Sequence, residues 1–161
     1  MAIVRRLARP MLAAIFVTGG LEALRHPGAR VDKAAPMVGR LAEATGMPDD
    51  PELAVRTNGA LMFIGGAMLA TNRLPRISSA LLAASLVPTT YIGHDFWNKT
   101  GADVVPDRVQ FMKNLGLLGG LILAAVDTEG RPGLTWRAQH VGKSAKREAR
   151  LAAAEARLAL K

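Results

Sequence analysis

Two polar side chains, Lys113 and Asn114, stand side by side near the start of an otherwise apolar stretch, VQFMKNLGLLGGLILAAV. A second apolar stretch ends in three side chains that can donate a hydrogen bond or change charge: Tyr91, His94 and Asp95. A charged side chain within an apolar span is costly, so it usually faces the interior of a helix bundle and finds a partner there. Histidine is also the side-chain type that changes charge near neutral pH. These residues could therefore bind a polar ligand or handle protons.

Four apolar blocks must position these residues: 7–24, 53–72, 77–97 and 109–126. Each is close to the roughly 20 residues that a helix needs to cross about 30 Å of hydrocarbon. The chain is 50% hydrophobic yet carries a net charge of +8, with charged and apolar residues segregated along it. The blocks are apolar around most of their circumference, which favours membrane helices over the one-sided helices of a soluble bundle. The sequence therefore predicts an all-α fold, an integral membrane four-helix bundle over residues 1–127.

Lysine and arginine predict the topology, because they are enriched in the cytoplasmic segments of membrane proteins. They flank the start of the first block, bracket the tight turn between the second and third blocks, and dominate the tail at 128–161. Four crossings put these three segments on one side, so we predict a multi-pass protein with both termini in the cytoplasm. The first connection on the outer side is expected to hold a short helix, with Pro36 in its first turn and Gly46 at its end.

The tail, residues 128–161, is basic and rich in helix-forming residues, so we predict a cytoplasmic helical tail. Two roles fit this composition. The tail could lie on an anionic inner leaflet, where each basic residue near the surface contributes about 1 kcal/mol, or it could dock a soluble protein partner. Nucleic acid is not expected as a partner, because no aromatic or groove-reading motif accompanies the charge.

Two further charged residues are expected at the same depth: Glu22 ends the first block and Arg56 opens the second. Four helices would then converge on one polar cluster beneath the outer surface, in which Asp95 or Glu22 neutralises Lys113. Two interpretations stay open. The cluster is either a ligand-binding or proton-handling site, or a structural clasp at headgroup depth, where a lysine side chain can extend to water.

Glycines recur in three of the blocks, as the pairs at 19–20 and 65–66 and as the run at 116–120, in which Gly116 and Gly120 form a GxxxG pattern. Small residues let helix backbones approach closely in lipid. The glycines therefore predict helix contacts, either within the bundle or between copies of the chain.

Several kinds of chemistry lack the residues that they require. The chain contains no cysteine, which excludes disulfides, thiol redox relays and cysteine-ligated metal sites. No haem pair, iron–sulfur motif or nucleotide-binding fingerprint is present, so none of these cofactors is expected. One histidine with carboxylates is poor support for a transition-metal site, so no metal is expected.

Four motifs together resemble the DoxX family of small four-helix bacterial and archaeal membrane proteins. They are RPMLAAIFVTGGLEAL in the first block, GGAMLATNRLPR at the turn after the second, HDFW at the end of the third and QFMKNLGLLGGLIL in the fourth. The likeness covers roughly residues 5–127, and the basic tail lies outside it. The resemblance implies a bacterial plasma membrane location and a DoxX-like four-helix transmembrane domain.

The family takes its name from subunits of quinone-linked oxidoreductases, including thiosulfate:quinone oxidoreductase. The resemblance therefore implies a non-catalytic or quinone-linked membrane subunit of an oxidoreductase complex, rather than an enzyme on its own. Quinone is the cofactor that it suggests, with membrane lipid and a redox partner or a second copy of the chain as partners. The polar candidates for cofactor binding are His94, Asp95, Lys113, Asn114, Tyr91, Trp97, Glu22 and Arg56.

The main alternative is a membrane scaffold that docks a soluble partner through its basic tail. A small transporter ranks last, because polar groups at only one end of four short helices do not offer a path across the membrane.

Overall fold

The computed structural model describes residues 2–128, 136, 140–144 and 146–148. The chain divides into two compact units, Met1–Asp127 and Thr128–Lys161. The first unit contains the α-helices α1 (Ala2–Arg25), α2 (Ala29–Thr45), α3 (Pro51–Ala70), α4 (Pro75–Gly93) and α5 (Val104–Val126). Two 3-10 turns, Phe96–Asn98 and Gly101–Asp103, connect α4 to α5. The described residues include no β-strand, which confirms the prediction of an all-α fold.

Of these helices, α1, α3 and α5 are long and apolar enough to cross a membrane, with candidate spans at Ile3–Arg25, Pro51–Ala70 and Gly101–Val126. Their outward faces carry many exposed aliphatic side chains, such as Met11, Ile64 and Leu123, as expected of a surface that lies against lipid. The remaining predicted block, 77–97, is long enough for a span, but its helix, α4, has lower hydropathy and is not among these three candidates. Several serine and threonine side chains of α4 are buried.

The closest helix packing joins α1 and α3 at two glycines. A Cβ atom added to Gly20 would lie 2.6 Å from the backbone nitrogen of Phe63 and 2.7 Å from the carbonyl oxygen of Gly59. A third glycine, Gly66, packs against Val17 in the same way. The glycine pairs of the first two blocks therefore mark contacts within one chain, whereas Gly116 and Gly119 of α5 face open space.

The apolar core lies between α1, α3, α4 and α5. Its fully buried large side chains are Phe16, Leu69, Leu82 and Leu121, one from each of these helices. Helix α4 packs on both α3 and α5, while α2 packs on α3 and α4 and buries none of its own residues.

Local sequence explains the boundaries of α2 and α3. Helix α3 begins after Asp50, whose Oδ1 accepts a hydrogen bond of 2.9 Å from the Leu53 amide, a standard N-cap. Helix α2 ends as predicted at Gly46, which adopts φ 72° and donates from its amide to the Ala42 carbonyl. The expected start of α2 was wrong: it begins at Ala29, so Pro36 lies inside the helix instead of in its first turn.

The predicted end of the third block was also wrong. Helix α4 ends at Gly93 instead of reaching residue 97. His94 caps the helix, with φ −136° and its amide bonded to the Thr90 carbonyl, and the chain then turns through Phe96–Asn98. His94, Asp95 and Trp97 therefore lie on the connection between α4 and α5, and the directions of their side chains do not follow the 3.6-residue period of a helix.

The helices define two ends of the first unit. We call the end that carries α2, together with the C-termini of α1 and α4 and the N-termini of α3 and α5, the α2 end. The opposite end holds the start of α1, the α3–α4 turn and the end of α5, and we call it the arginine end. Arg5, Arg9 and Asp127 meet there.

The second unit is described only in part. Residues 136, 140–144 and 146–148 are helical, and the rings of Trp136 and His140 stack with centroids 4.2 Å apart. The rest of the predicted tail helix lies outside the described residues, and its cytoplasmic location and docking role remain predictions.

Candidate functional site

A charged group joins the connection that follows α4 to the first turn of α5. The Lys99 ammonium pairs with Oδ2 of Asp107, a residue in the first turn of α5. Oδ1 of the same carboxylate lies 3.6 Å from Nδ1 of His94. The hydrogen bond and charge of Asp107 raise the pKa of Lys99 above the ordinary lysine value. These contacts hold the α4–α5 connection against the N-terminal turn of α5.

His94 adds an unsatisfied polar atom to this group. Its Nδ1 is buried and makes no hydrogen bond within the described part of the chain, because the distance to Asp107 exceeds that of a hydrogen bond. A buried polar atom without a partner is costly. A small movement of either side chain would bring Nδ1 of His94 within hydrogen-bond distance of Asp107.

A cavity of about 230 Å³ opens beside this group, between α2 and the end of α4. Three of the predicted site residues line it, Tyr91, Asp95 and Trp97. Helix α2 contributes the opposite wall, with Lys33 and Arg40 as its cations. The other lining residues are Pro36, Met37, Ile92 and Asn98. The cavity therefore combines aromatic and aliphatic walls with several hydrogen-bond donors and one carboxylate.

Contacts around the cavity fix its polar groups. The ammonium of Lys33 donates to the carbonyl oxygen of Gly93 at 3.3 Å, which ties α2 to the end of α4. Oδ2 of Asp95 accepts a hydrogen bond of 3.3 Å from Asn98. Oδ1 of Asp95 makes no hydrogen bond within the described residues, so this carboxylate retains acceptor capacity for a ligand.

An aromatic cluster supports the cavity wall. The centroid of the Trp97 ring lies 5.4 Å from the ring centroid of Tyr91, 5.2 Å from that of Phe96 and 5.7 Å from that of Phe111. The last two contacts are edge-to-face, an arrangement that stabilises aromatic pairs by about 0.5–1.5 kcal/mol beyond their buried area. The cluster anchors the 3-10 turn on α5 and holds the indole at the cavity.

Two hydrogen bonds extend the polar region between the helices. Asn114 donates from Nδ2 to Oγ1 of Thr90 at 3.0 Å, joining α5 to α4. Closer to the middle of the bundle, Ser85 donates to Oδ1 of Asn58 at 2.7 Å, joining α4 to α3. These pairs satisfy polar groups that would otherwise be exposed to hydrocarbon.

The structure does not bring all the predicted site residues into one cluster. Glu22 is exposed, and its Oε1 lies 3.7 Å from Nδ1 of His26, the residue that follows the end of α1. Arg56 pairs with Glu52 at 2.8 Å and donates to the Leu24 carbonyl at 2.6 Å, so it ties α3 to α1. Both side chains belong to the α2 end, but neither lines the cavity.

Lys113 differs most from the expectation. It is exposed on the outer face of α5 and makes no ion pair within the described residues, so the predicted pairing with Asp95 or Glu22 was wrong. The inward face of α5 carries Asp107, Phe111 and Asn114 instead, spaced at i, i+4 and i+7. A lysine next to Asn114 points away from that face.

Asp107 and Lys99 are the residues that the sequence interpretation missed as members of the site. A signal for Asp107 was present, because it lies seven residues before Asn114 and so shares its helical face. For Lys99 no comparable signal exists, since its position depends on the course of the connection. Within the described residues, no group of three histidine or carboxylate side chains is placed to hold a metal ion.

A family model described as DoxX matches residues 5–95 of this chain. The matched segment covers α1 to α4 and the first two residues after α4, including His94 and Asp95. The FMKN motif of α5 lies outside it, so that part of the resemblance remains a prediction. Comparisons with curated proteins and with solved structures gave no match.

Proposed function

The chain belongs to the DoxX family of integral membrane proteins, since the family model matches more than half of its 161 residues, and we propose that it is a quinone-binding membrane subunit of an oxidoreductase complex. The cavity at the α2 end carries this proposal, because it is the place where Tyr91, Asp95 and Trp97 meet. The proposed location is the bacterial plasma membrane.

The proposal includes four crossings, by α1, α3, α4 and α5, with both termini in the cytoplasm. The lower hydropathy of α4 is compatible with a crossing, because its polar side chains Ser78, Ser79, Ser85 and Thr90 are buried against other helices. Arginines concentrate at the arginine end, which supports a cytoplasmic position for that end. The α2 end and its cavity then lie at the outer surface.

A quinone ring suits the composition of the cavity. About 230 Å³ lies just below the usual range for small-molecule sites, so the cavity would hold the ring and leave the isoprenoid tail against the apolar helix surface. Trp97 and Tyr91 provide flat apolar walls, and Met37 and Ile92 provide aliphatic contact. Quinone carbonyl oxygens accept hydrogen bonds, and the cavity supplies donors on both of its walls.

Each polar residue then has a definite task. The Tyr91 hydroxyl and the guanidinium of Arg40 would donate to the carbonyl oxygens and so orient the ring. Oδ1 of Asp95 could take up or release a proton at the cavity surface. A bound quinone supplies two-electron chemistry coupled to two protons. The electrons would come from a partner protein, because the chain carries no cysteine for an iron–sulfur cluster.

The direct test is to measure quinone in the full chain purified in native-lipid particles, by solvent extraction and quantitative mass spectrometry. We expect about one quinone per chain in the wild type. Arg40→Met should lower the affinity about tenfold or more, since it removes charge-assisted hydrogen bonds, and Tyr91→Phe should lower it about threefold to tenfold, since it removes one neutral hydrogen bond.

The matched control is Lys113→Met, which removes an exposed cation at the same end without touching the cavity. It should retain quinone like the wild type. All variants should keep the wild-type melting temperature, because Tyr91, Arg40 and Lys113 are exposed. Quinone that is absent from the wild type, or retained equally by Arg40→Met and Lys113→Met, would refute the proposal.

A further inference from the structure

The arginine end contains a second cavity, of about 330 Å³, that the proposed function does not use. Arg5, Arg6 and Arg9 line it from α1, and Ala70, Thr71 and Asn72 line it from the end of α3 and the turn that follows. Its volume falls in the range of small-ligand sites. Among its polar side chains, the arginines dominate.

The side chains of this cavity are held in place by specific contacts. Arg9 is only 5% exposed, and its guanidinium donates to Oδ1 of Asn72 and lies 3.2 Å from Asp127. Arg5 donates from Nε to the same Asp127 carboxylate at 2.7 Å. The guanidinium of Arg9 is therefore a fixed, buried group, because both the α3–α4 turn and the end of α5 hold it.

The three arginines of the cavity are engaged differently. Arg5 and Arg9 both lie against the Asp127 carboxylate. Arg6 is exposed at the rim and makes no ion pair within the described part of the chain. Arginine is well suited to phosphate oxygens, because its planar group presents several donors in a fixed fork.

The turn that forms the floor of the cavity has an unusual backbone. Asn72 and Leu74 adopt φ angles of 60° and 46°, in the left-handed region that non-glycine residues rarely occupy. Asn72 is held in this conformation while it accepts the hydrogen bond from Arg9. Its side-chain amide nitrogen makes no hydrogen bond within the described residues and is a further donor at the cavity.

We propose that the cavity formed by Arg5, Arg6, Arg9 and Asn72 binds a phosphate group. Two sources share this chemistry: the headgroup of an anionic lipid and a soluble phosphate compound. Basic pockets between membrane helices on the cytoplasmic side are known to receive anionic headgroups. The inference is independent of the quinone site, which lies at the other end of the helices.

The test uses the full chain in neutral detergent and compares two variants of equal charge. Arg6→Gln removes a cavity arginine that holds no helix in place, whereas Arg73→Gln removes an exposed arginine of the same turn that does not line the cavity. Native mass spectrometry measures the dissociation constant of a short-chain phosphatidylglycerol, with phosphatidylcholine as the neutral lipid. Thermal unfolding is measured in parallel with inorganic phosphate and glycerol 3-phosphate.

We expect one saturable site, which Arg6→Gln weakens about tenfold or more through loss of charge-assisted hydrogen bonds and which Arg73→Gln leaves within about twofold. Selective binding of phosphatidylglycerol with no shift by the soluble compounds assigns the site to a lipid headgroup. A saturable shift by the soluble compounds, lost in Arg6→Gln alone, assigns it to soluble phosphate.

Two other results overturn the proposal. Equal weakening by the two variants would mean that the basic surface attracts anions without a site. The absence of saturable binding by every probe would mean that the arginines serve only to join the helices. Both variants should unfold at the wild-type temperature without ligand, so a loss of binding cannot be attributed to a loss of fold.

Discussion

Replacement of Gly20 by alanine should separate α1 from α3. The added Cβ would lie 2.6 Å from the backbone nitrogen of Phe63 and 2.7 Å from the carbonyl oxygen of Gly59. Ordinary contacts between non-bonded heavy atoms lie at about 3.5–4.0 Å. The two helices would therefore have to move apart by roughly 1 Å at this point. The obstructing atoms belong to the backbone, so no rotation of a side chain can relieve the clash.

The size of the effect follows from this geometry. Overpacking of a closely packed interior costs about 1–3 kcal/mol. For Gly20→Ala we expect the upper part of that range, about 2–3 kcal/mol of unfolding free energy, because the backbone itself must shift. Gly66→Ala should cost less, about 1–2 kcal/mol. Its nearest obstruction is the Cγ2 atom of Val17 at 2.9 Å, and a side chain can partly move away.

The assay is reversible unfolding of the purified chain in mixed micelles with increasing sodium dodecyl sulfate. Gly119→Ala is the matched control, because a Cβ there meets no atom within 4 Å. We expect its stability to lie within about 0.5 kcal/mol of the wild type. If Gly20→Ala is as stable as Gly119→Ala, the close approach of α1 and α3 is not the packing contact that the structure gives.

Two further predictions concern polar pairs. Since Asp107 raises the pKa of Lys99, protonated Lys99 should stabilise the fold fully below the ordinary lysine pKa of 10.5, and this stability should be lost as pH rises through the higher folded value. In Asp107→Asn this contribution should be absent, so its unfolding midpoint should lie below that of the wild type at lower pH and should lack the corresponding fall across the alkaline range; wild-type and variant profiles that fall in parallel would contradict the pairing. In a double-mutant cycle, Asn58→Val and Ser85→Ala should show a coupling of about 0.6 kcal/mol, and at most about 1.7, as for other hydrogen bonds between membrane helices. A coupling near zero would mean that the 2.7 Å contact contributes nothing to stability.

The helices were predictable because apolar blocks of membrane length leave a strong signal in the sequence. The end of α3 differs from its predicted position by two residues, and α5 ends at Val126 as predicted. The exact ends were harder to place, because a run of apolar residues does not reveal where the chain turns. The third block was predicted to be helical to residue 97, but the helix ends at Gly93. The three candidate residues after Gly93, namely His94, Asp95 and Trp97, therefore lie on the connection between α4 and α5.

The site was predictable in its region but not in its pairings. Predicted residues from all four blocks lie at the α2 end, yet Glu22 and Arg56 pair locally, each with a residue one turn away. Depth along a helix can be read from the position of a residue in its block. The direction in which the side chain points cannot be read in this way. Lys113 and Asn114 lie at almost the same depth, but only Asn114 faces another helix.

Helix α4 shows how polar side chains can lower the hydropathy of a helix that packs between other helices. Ser78, Ser79, Ser85 and Thr90 lower its hydropathy, but all four side chains are buried between helices. Helix α5 shows the opposite balance, since it is apolar enough to qualify as a span and buries only Leu121. Small polar side chains suit a helix enclosed by others, because they permit close packing and can bond to backbone carbonyls. Ser78 does so, donating to the carbonyl of Leu74 at 3.1 Å. The helix whose hydropathy is too low to qualify as a span is therefore one that buries its small polar side chains against other helices.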